Sequence, residues 1–492
     1  MMRTTRRTIP VCRYFPGGIS ILRGRPHPDM RGGLVLLALA GLLGCADLGG
    51  KPPLPSGVPD QQSLKTVAGA RAMYQGAVAT FGYTTFFTST SGTTGSVNIG
   101  AFVSALLSGG LVSDELTVAS AGGSLLDYYG VTTPDIAMDS RNLPEGSDYS
   151  GSYGLLQTLR AQAAQGIGAL TAYDSSEHAL RGHLYALTGY AELLLADLYC
   201  SGVPLSTLDY NADYTYRPGS STEAVYADAA QQFRLALPLL ADSARWLNLA
   251  RVGLGRALLN LGQYAAAADT VATVPHDYVY QIPVNWNGGD INNDFVSGLQ
   301  GIYHATVADR EGGIGFPYRT GGDRRTATIF TDTNKFRDSL FVPAKYGTGV
   351  SRVTVASGLE ARLIQAEAAL HPGGGNALAS DPSAMLAILN AIRADSNFTP
   401  TIDPSTVLTP AAAVDTLFAD RAAWLFLDGH RLEDLRRQLR RYKRLFLEVF
   451  PVGAYVLPSV TYPSYGLNVE LPIPPDERTI NPNFTGCLSR GI

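Results

Sequence analysis

Between residues 177 and 200, apolar side chains fall at Leu180, Leu184, Leu187, Ala191, Leu194, Leu195 and Leu198. Steps of three and four keep them on one face of an α-helix for roughly five turns. A stripe this regular has to be buried against other helices, and it argues against a sandwich or barrel as the frame of the chain.

The spacing recurs. Val225, Ala229, Phe233, Leu237 and Leu240 share a face over 220–241, where Ser220 and Glu223 have the spacing of a capping box. Met385, Ile388, Leu389 and Ile392 do so over 382–395, and Val414, Phe418, Ala422 and Leu425 over 411–427. Further helices are predicted at 64–81, 152–172, 244–261, 263–273 and 358–370, with a short one near 98–108. Around 255–267, Gly255 and Gly262 permit close approach, Tyr264 can fill a groove and Ala267 keeps the contact tight. That pattern resembles a tetratricopeptide repeat, and helix pairs at 152–200, 220–261 and 358–395 suit stacking without a strict period. The predicted fold class is mainly α: a tetratricopeptide-like helical-repeat body (an α-α superhelix). Long loop-rich insertions at 82–150 and 275–357 carry a few short strands, among them the alternating run Val350–Val355.

The first residues read as an address. Residues 34–43, LVLLALAGLL, are too short to span a bilayer, which needs about 20 apolar residues. With Arg31 as positive flank they fit a secretory h-region, so 1–44 is a signal region, and Met30 reads as the true start. The run ends in Leu42-Leu43-Gly44-Cys45, which resembles a bacterial lipobox. That likeness implies cleavage before Cys45 and its lipidation, with acyl chains contributing about 0.8 kcal/mol per buried methylene to anchoring. Residues 45–62 then form a Pro-rich tether, and 63–492 the single folded body. The signal region holds seven of the 38 basic side chains and one of the 42 acidic ones, Asp29; this leaves 31 basic and 41 acidic, net −10, for the rest. A chain of that sign is a poor partner for nucleic acid.

No catalytic, metal or cofactor constellation is present in the sequence. His178 and His183 are five apart and diverge on a helix. No Gly-x-Ser-x-Gly elbow appears. Asp114-Glu115 has no identifiable partner, and Arg431 and Asp434 have the i, i+3 spacing of a simple helix ion pair. Arg436, Arg437, Arg440, Arg441, Lys443 and Arg444 read as a solvated helix face, with lipid phosphates or an acidic partner as the alternative. Gly322-Asp323-Arg324-Arg325 reads as structural. Cys200 and Cys487 can pair in an oxidising compartment, which sequence alone does not decide.

Ligand contact is expected from aromatics in polar loops, which supply flat apolar faces beside hydrogen-bonding groups. The stretch 275–320 offers Tyr278, Tyr280, Trp286, Tyr303, Phe316 and Tyr318 among Asn285, Asn287, Asp290, Asn292, Asn293 and Arg319. The candidates are Trp286, Tyr303, Tyr280 and Tyr318, joined by Tyr128 and Tyr129.

Several stretches resemble SusD/RagB-type nutrient-uptake lipoproteins, in that family's order. Beyond the lipobox, these are Arg181-Gly-His183-Leu-Tyr185 running on to Asp197-Leu-Tyr199 and Gly202-Val-Pro204; Glu360-Ala-Arg362-Leu-Ile-Gln-Ala366-Glu367-Ala368; and Leu389-Asn390-Ala-Ile392-Arg393. The most specific is Asp420-Arg421 followed by Asp428-Gly429-His430-Arg431 and Asp434-Leu435-Arg436-Arg437, with Leu471-Pro-Ile-Pro474 closing the tail. Asp420 and Asp428 stand where the family usually has Glu. The resemblance implies a non-enzymatic lipoprotein of the outer membrane, anchored by lipid and facing outward. It would bind an oligosaccharide or peptide nutrient at a loop face and deliver it to a TonB-dependent, SusC-like transporter. The competing readings are a helical-repeat adaptor of the envelope and, less favoured, a glycosidase, which needs two carboxylates roughly 5–9.5 Å apart across a cleft.

Overall fold

A computed structural model describes residues 64–82, 85–90, 93–98, 100–118, 141, 150–211, 213–283, 305–333, 339–346, 352–398, 400–455 and 464–489. Cys45, Tyr128, Tyr129, Trp286 and Tyr303 lie outside the described residues, as do the signal region and tether.

The helices follow the apolar stripes. They are α1 (Val67–Gly82), α2 (Ala101–Val112), α3 (Ser150–Tyr173), α4 (His178–Leu198), α5 (Thr222–Leu239), α6 (Ala244–Asn260), α7 (Tyr264–Val271), α8 (Gly358–Ala369), α9 (Ser383–Asp395), α10 (Pro410–Trp424), α11 (Arg431–Arg440) and the short α12 (Phe446–Val449) and α13 (Pro475–Ile480). From α3 to α10 each helix packs on the next in sequence. That succession is the arrangement of a helical repeat, and the mainly α expectation holds.

Small residues set the spacing of the stack. Phe233 on α5 lies between Gly189 of α4 and Gly253 of α6; a Cβ at either glycine would come within 2.8 Å and 2.3 Å of its ring. The tetratricopeptide-like segment closes as expected. Gly262 turns the chain at φ +72°, Tyr264 is buried against the ring of His371, and Ala267 is buried. The cap of α5 falls one residue later than predicted: Ser221, rather than Ser220, accepts the N–H of Ala224.

Strands are short and form two-stranded ladders. β1 (Thr85–Thr90) pairs with β2 (Thr93–Asn98), and β3 (Leu116–Val118) with β9 (Ala305–Val307). The pairs β4 (Val203–Pro204) with β7 (Gly219–Ser220) and β5 (Thr207–Leu208) with β6 (Tyr214–Thr215) follow α4. β8 (Val279–Pro283) pairs with β12 (Arg352–Ser357), the predicted alternating run displaced by two residues, and β10 (Thr328–Thr333) forms a bulged hairpin with β11 (Ser339–Pro343).

Two apolar clusters fill the body. Helix α8 belongs to both, through Ala361 and Ile364 on one side and Leu363 and Ala366 on the other. Its acids Glu360 and Glu367 are therefore buried and need cations. The α11 segment supplies them. Arg437, 0% exposed, forks onto Glu367 at 2.7 and 2.8 Å and also reaches Glu433 and Asp434. Arg421 grips Asp434 through two bonds of 2.8 Å, and Arg256 reaches Glu360 at 2.9 Å. Burial works to raise the Asp434 carboxyl, but the arginines outweigh it and hold it below the usual range.

These contacts correct two sequence expectations. Arg436 and Arg437 are not a solvated face: they are buried, Arg436 donating to the Ala196 and Asp197 carbonyls and to Glu470. Nor do Arg431 and Asp434 pair with each other; Arg431 binds Asp114, and Asp434 is held by Arg421 and Arg437. Cys200 and Cys487 form a disulfide, their Cα atoms 5.8 Å apart, which fastens the tail to the end of α4.

Candidate functional site

The described part of the 275–357 insertion makes a rim held to the helices from below. Asp114, at the end of α2, takes two bonds from Arg431, at 2.6 and 2.8 Å, and the N–H of Phe316 at 2.8 Å. Burial pushes the Asp114 carboxyl up, yet Arg431 and that N–H prevail and keep it below the ordinary carboxylate range. Its neighbour Glu115 has no such cation. Burial drives it up to about 8, although it accepts the N–H of Leu427. Further along, the Tyr346 hydroxyl and Lys345 both donate to Asp428, at 2.6 and 2.9 Å. Arg325 links Asp323 to Asp420 on α10, so the Gly322–Arg325 element is structural, as expected.

Above this anchorage the loop 309–321 is tied by its own groups. Asp309 accepts the N–H groups of Arg319 and Thr320, at 2.9 and 3.1 Å. Tyr465 donates to Glu311 at 2.6 Å and accepts from the N–H of Gly312. The fold thereby presents Arg319, which lies over the ring of Phe341 at 4.6 Å and makes no ion pair among the described residues. Across the β10–β11 hairpin, Phe330 is the partner of Phe341, their rings edge to face at 5.7 Å. Phe330 is 54% exposed, and Ile314 on the tied loop is exposed too. An outward ring beside a guanidinium free to donate is a platform suited to a sugar: apolar C–H faces stack, and hydroxyls find donors.

Of the predicted aromatics, two fall on described residues and both are interior. Tyr280 is 6% exposed, and its hydroxyl meets Nε2 of His183 at 3.1 Å. His183 meets the Tyr74 hydroxyl through Nδ1 at 2.9 Å and stacks on Trp246; burial pushes its pKa down to about 3, so it is a neutral core imidazole. Tyr318 is 2% exposed and stacked on Phe426. Neither offers a ring to solvent. The platform residues Phe330 and Phe341 were not singled out in the sequence. The available signal was the alternation in TIFTDT and SLFVP around a five-residue gap, which reads as a hairpin with one phenylalanine per strand.

No family model matches the sequence, and no curated protein matches it. Solved structures do. One is a SusD homolog from Bacteroides thetaiotaomicron, at 14% identity and a TM-score of 0.59, covering 87% of this chain and 99% of that one. A second is a laminarin-binding SusD-like protein, at 16% identity and a TM-score of 0.54, covering 88% and 100%. A third is surface glycan-binding protein A from Bacteroides thetaiotaomicron, at 11% and 0.57, covering 87% and 100%. The chain has the SusD-like fold.

Proposed function

We propose that this chain is a SusD/RagB-type lipoprotein that captures an oligosaccharide at its loop face and passes it to a TonB-dependent, SusC-like barrel. The observation that carries the reading is the SusD-like fold over nearly the whole chain, shared with structures described as glycan-binding and laminarin-binding. Two others agree with it. The rim presents an aromatic and arginine platform, and the Cys200–Cys487 disulfide suits an oxidising compartment outside the cytoplasm. No helix among the described residues is long and apolar enough to cross a membrane, and the proposed anchor is the lipid on Cys45, from its likeness to a lipobox. The work is capture and handover, with no bond made or broken; affinity comes from ring stacking and a few hydrogen bonds, on Phe330 and Arg319 and on the sequence candidates Trp286, Tyr303, Tyr128 and Tyr129.

The test is calorimetry of the purified mature protein against laminarin oligosaccharides, other host-available glycans and short peptides. Micromolar to millimolar binding of a glycan, weakened roughly tenfold in Trp286→Ala with an unchanged melting curve, supports the reading. Binding to envelope proteins and to neither ligand class would favour an adaptor instead. In cells, Cys45→Ala should move the protein from the membrane fraction to the soluble one and abolish acyl labelling.

A further inference from the structure

The segment that carries β5 and β6 leaves two tyrosine rings in solvent on a backbone pinned from both sides. Leu208 of β5 pairs with Tyr214 of β6, and Asp209 closes the turn between them, its Oδ1 accepting the N–H groups of Asn211 and Asp213 at 2.8 and 2.9 Å. Just past β6, Ser206 Oγ accepts the N–H of Arg217 at 3.1 Å. The tail fixes the same stretch: Asn483 Nδ2 donates to the Tyr216 carbonyl and Asn481 Nδ2 to that of Arg217, both at 2.9 Å. The Cys200–Cys487 disulfide in turn ties the tail to the residues before β4.

Tyr214 and Tyr216 lie two apart along this stretch, a spacing that in extended backbone puts side chains on one face. Their ring centroids are 4.5 Å apart and the planes are inclined by 52°, so the rings touch without covering each other. Tyr214 is 50% exposed and Tyr216 37%. Among the described residues no other ring pair has both members exposed. The surrounding exposed residues Asp209, Asn211, Asp213, Thr215 and Arg217 are all polar, so the apolar spot is small and bordered by hydrogen-bonding groups. Such a spot is a poor seat for another protein, which needs about 800 Å² on each partner.

It suits a pyranose, whose C–H face stacks on an aromatic ring while its hydroxyls reach polar groups at the edge. Each tyrosine brings a hydroxyl of its own. Asn483 is exposed, and with Nδ2 given to the Tyr216 carbonyl its Oδ1 accepts nothing among the described residues. The exposed Arg217 guanidinium has no partner among them either, its hydrogen bonds being made by backbone N–H and carbonyl. We propose that Tyr214 and Tyr216 form a second sugar platform, which takes one ring of a glycan chain while Asn483 and Arg217 meet its hydroxyls. The class of ligand rests on the glycan reading above. The place does not, since none of these residues belongs to the 275–357 rim or its β10–β11 hairpin.

The experiment runs the intact mature protein through native gels containing laminarin, starch, xylan or galactomannan and reads retardation as affinity. On a polysaccharide that retards the wild type, Tyr214→Ala/Tyr216→Ala should bind about tenfold more weakly, each ring contributing a few-fold. Its melting curve should be unchanged, because both rings are exposed. Tyr214→Phe/Tyr216→Phe keeps the rings and should stay within about threefold of wild type. Phe330→Ala should keep part of the retardation, and adding the two tyrosine substitutions should remove the rest. If the double alanine variant unfolds, Tyr214→Ala and Tyr216→Ala carry the test singly. Full retardation of folded Tyr214→Ala/Tyr216→Ala overturns the proposal and leaves the rim reading standing. Loss in that variant with Phe330→Ala unaffected supports the proposal and overturns the rim. No retardation of folded wild type by any of these polysaccharides overturns both.

Discussion

Helix α11 and the β10–β11 hairpin invert what their side chains suggest. The helix is among the most charged segments of the chain and is almost entirely buried. The hairpin carries a phenylalanine and holds it more than half exposed. The difference lies in partners. Every guanidinium buried on α11 has a carboxylate or carbonyl placed to receive it, whereas Phe330 has one ring edge on Phe341 and solvent on its other side. Burial follows from whether the neighbours can satisfy a group, more than from its own polarity. One region is therefore concerned with holding the fold, and the other is available for a ligand.

The comparison breaks most sharply at Arg437. Arg437→Met leaves Glu367, Glu433 and Asp434 without their shared cation, and removing one partner of a buried pair costs about 3–5 kcal/mol. Urea unfolding should show a loss of that size, or no folded protein; a loss under about 1 kcal/mol would mean that the network is poorly coupled to the fold.

The covalent tie near the base of α11 sharpens the same point. Arg436 binds the tail through Glu470, and the disulfide binds it again at Cys487. Reducing the bond, or replacing both cysteines with serine, should lower stability by about 2–5 kcal/mol. A negligible change in the denaturant midpoint would show that Arg436 and its neighbours hold the tail unaided.

Next comes an acid with no cation. Glu115 ionises near 4.5 when unfolded and near 8 in the fold, where burial favours its neutral form. Its stabilising contribution is whole below about pH 4.5 and is lost as pH rises through about 8, at up to roughly 1.4 kcal/mol per pH unit between those limits. Glu360, raised to about 7 by burial, adds to the same trend. Melting temperature should therefore fall from about pH 6 to pH 8, and Glu115→Gln, which can still accept the Leu427 N–H, should flatten that fall. An identical slope in the variant would contradict the assignment.

The smallest expected change belongs to the hairpin. Phe330→Ala should leave stability within about 0.5 kcal/mol, since the ring is surface-exposed. Glycan affinity should fall several-fold, by about 1 kcal/mol for one lost stacking face. Lost folding would show the ring to be core, and unchanged affinity would place the ligand elsewhere on the rim.

The parts of this arrangement legible in sequence were those set by neighbours in sequence. The stripe over 177–200 became His178–Leu198 because a helix's own period places its apolar face. The charges of α11 were unreadable for the opposite reason. Glu367 lies 70 residues before Arg437, and Asp114 lies 317 before Arg431, so nothing local reports that the run is paired. Tyr280 and Tyr318 look like loop aromatics because polar residues surround them in sequence. What buries them is His183 on α4 and Phe426 in the turn between α10 and α11, both distant in sequence.

The Cys200–Cys487 bond has a further consequence for the life of the molecule. Its two ends are 287 residues apart, so the greater part of the body forms one covalent ring. The ring cannot close until Cys487 has been synthesised, so a chain stalled or truncated before that point has no partner for Cys200. Once closed, a single protease cut in any rim loop between the two cysteines opens the ring without releasing a fragment, and the nicked protein stays one molecule until it is reduced.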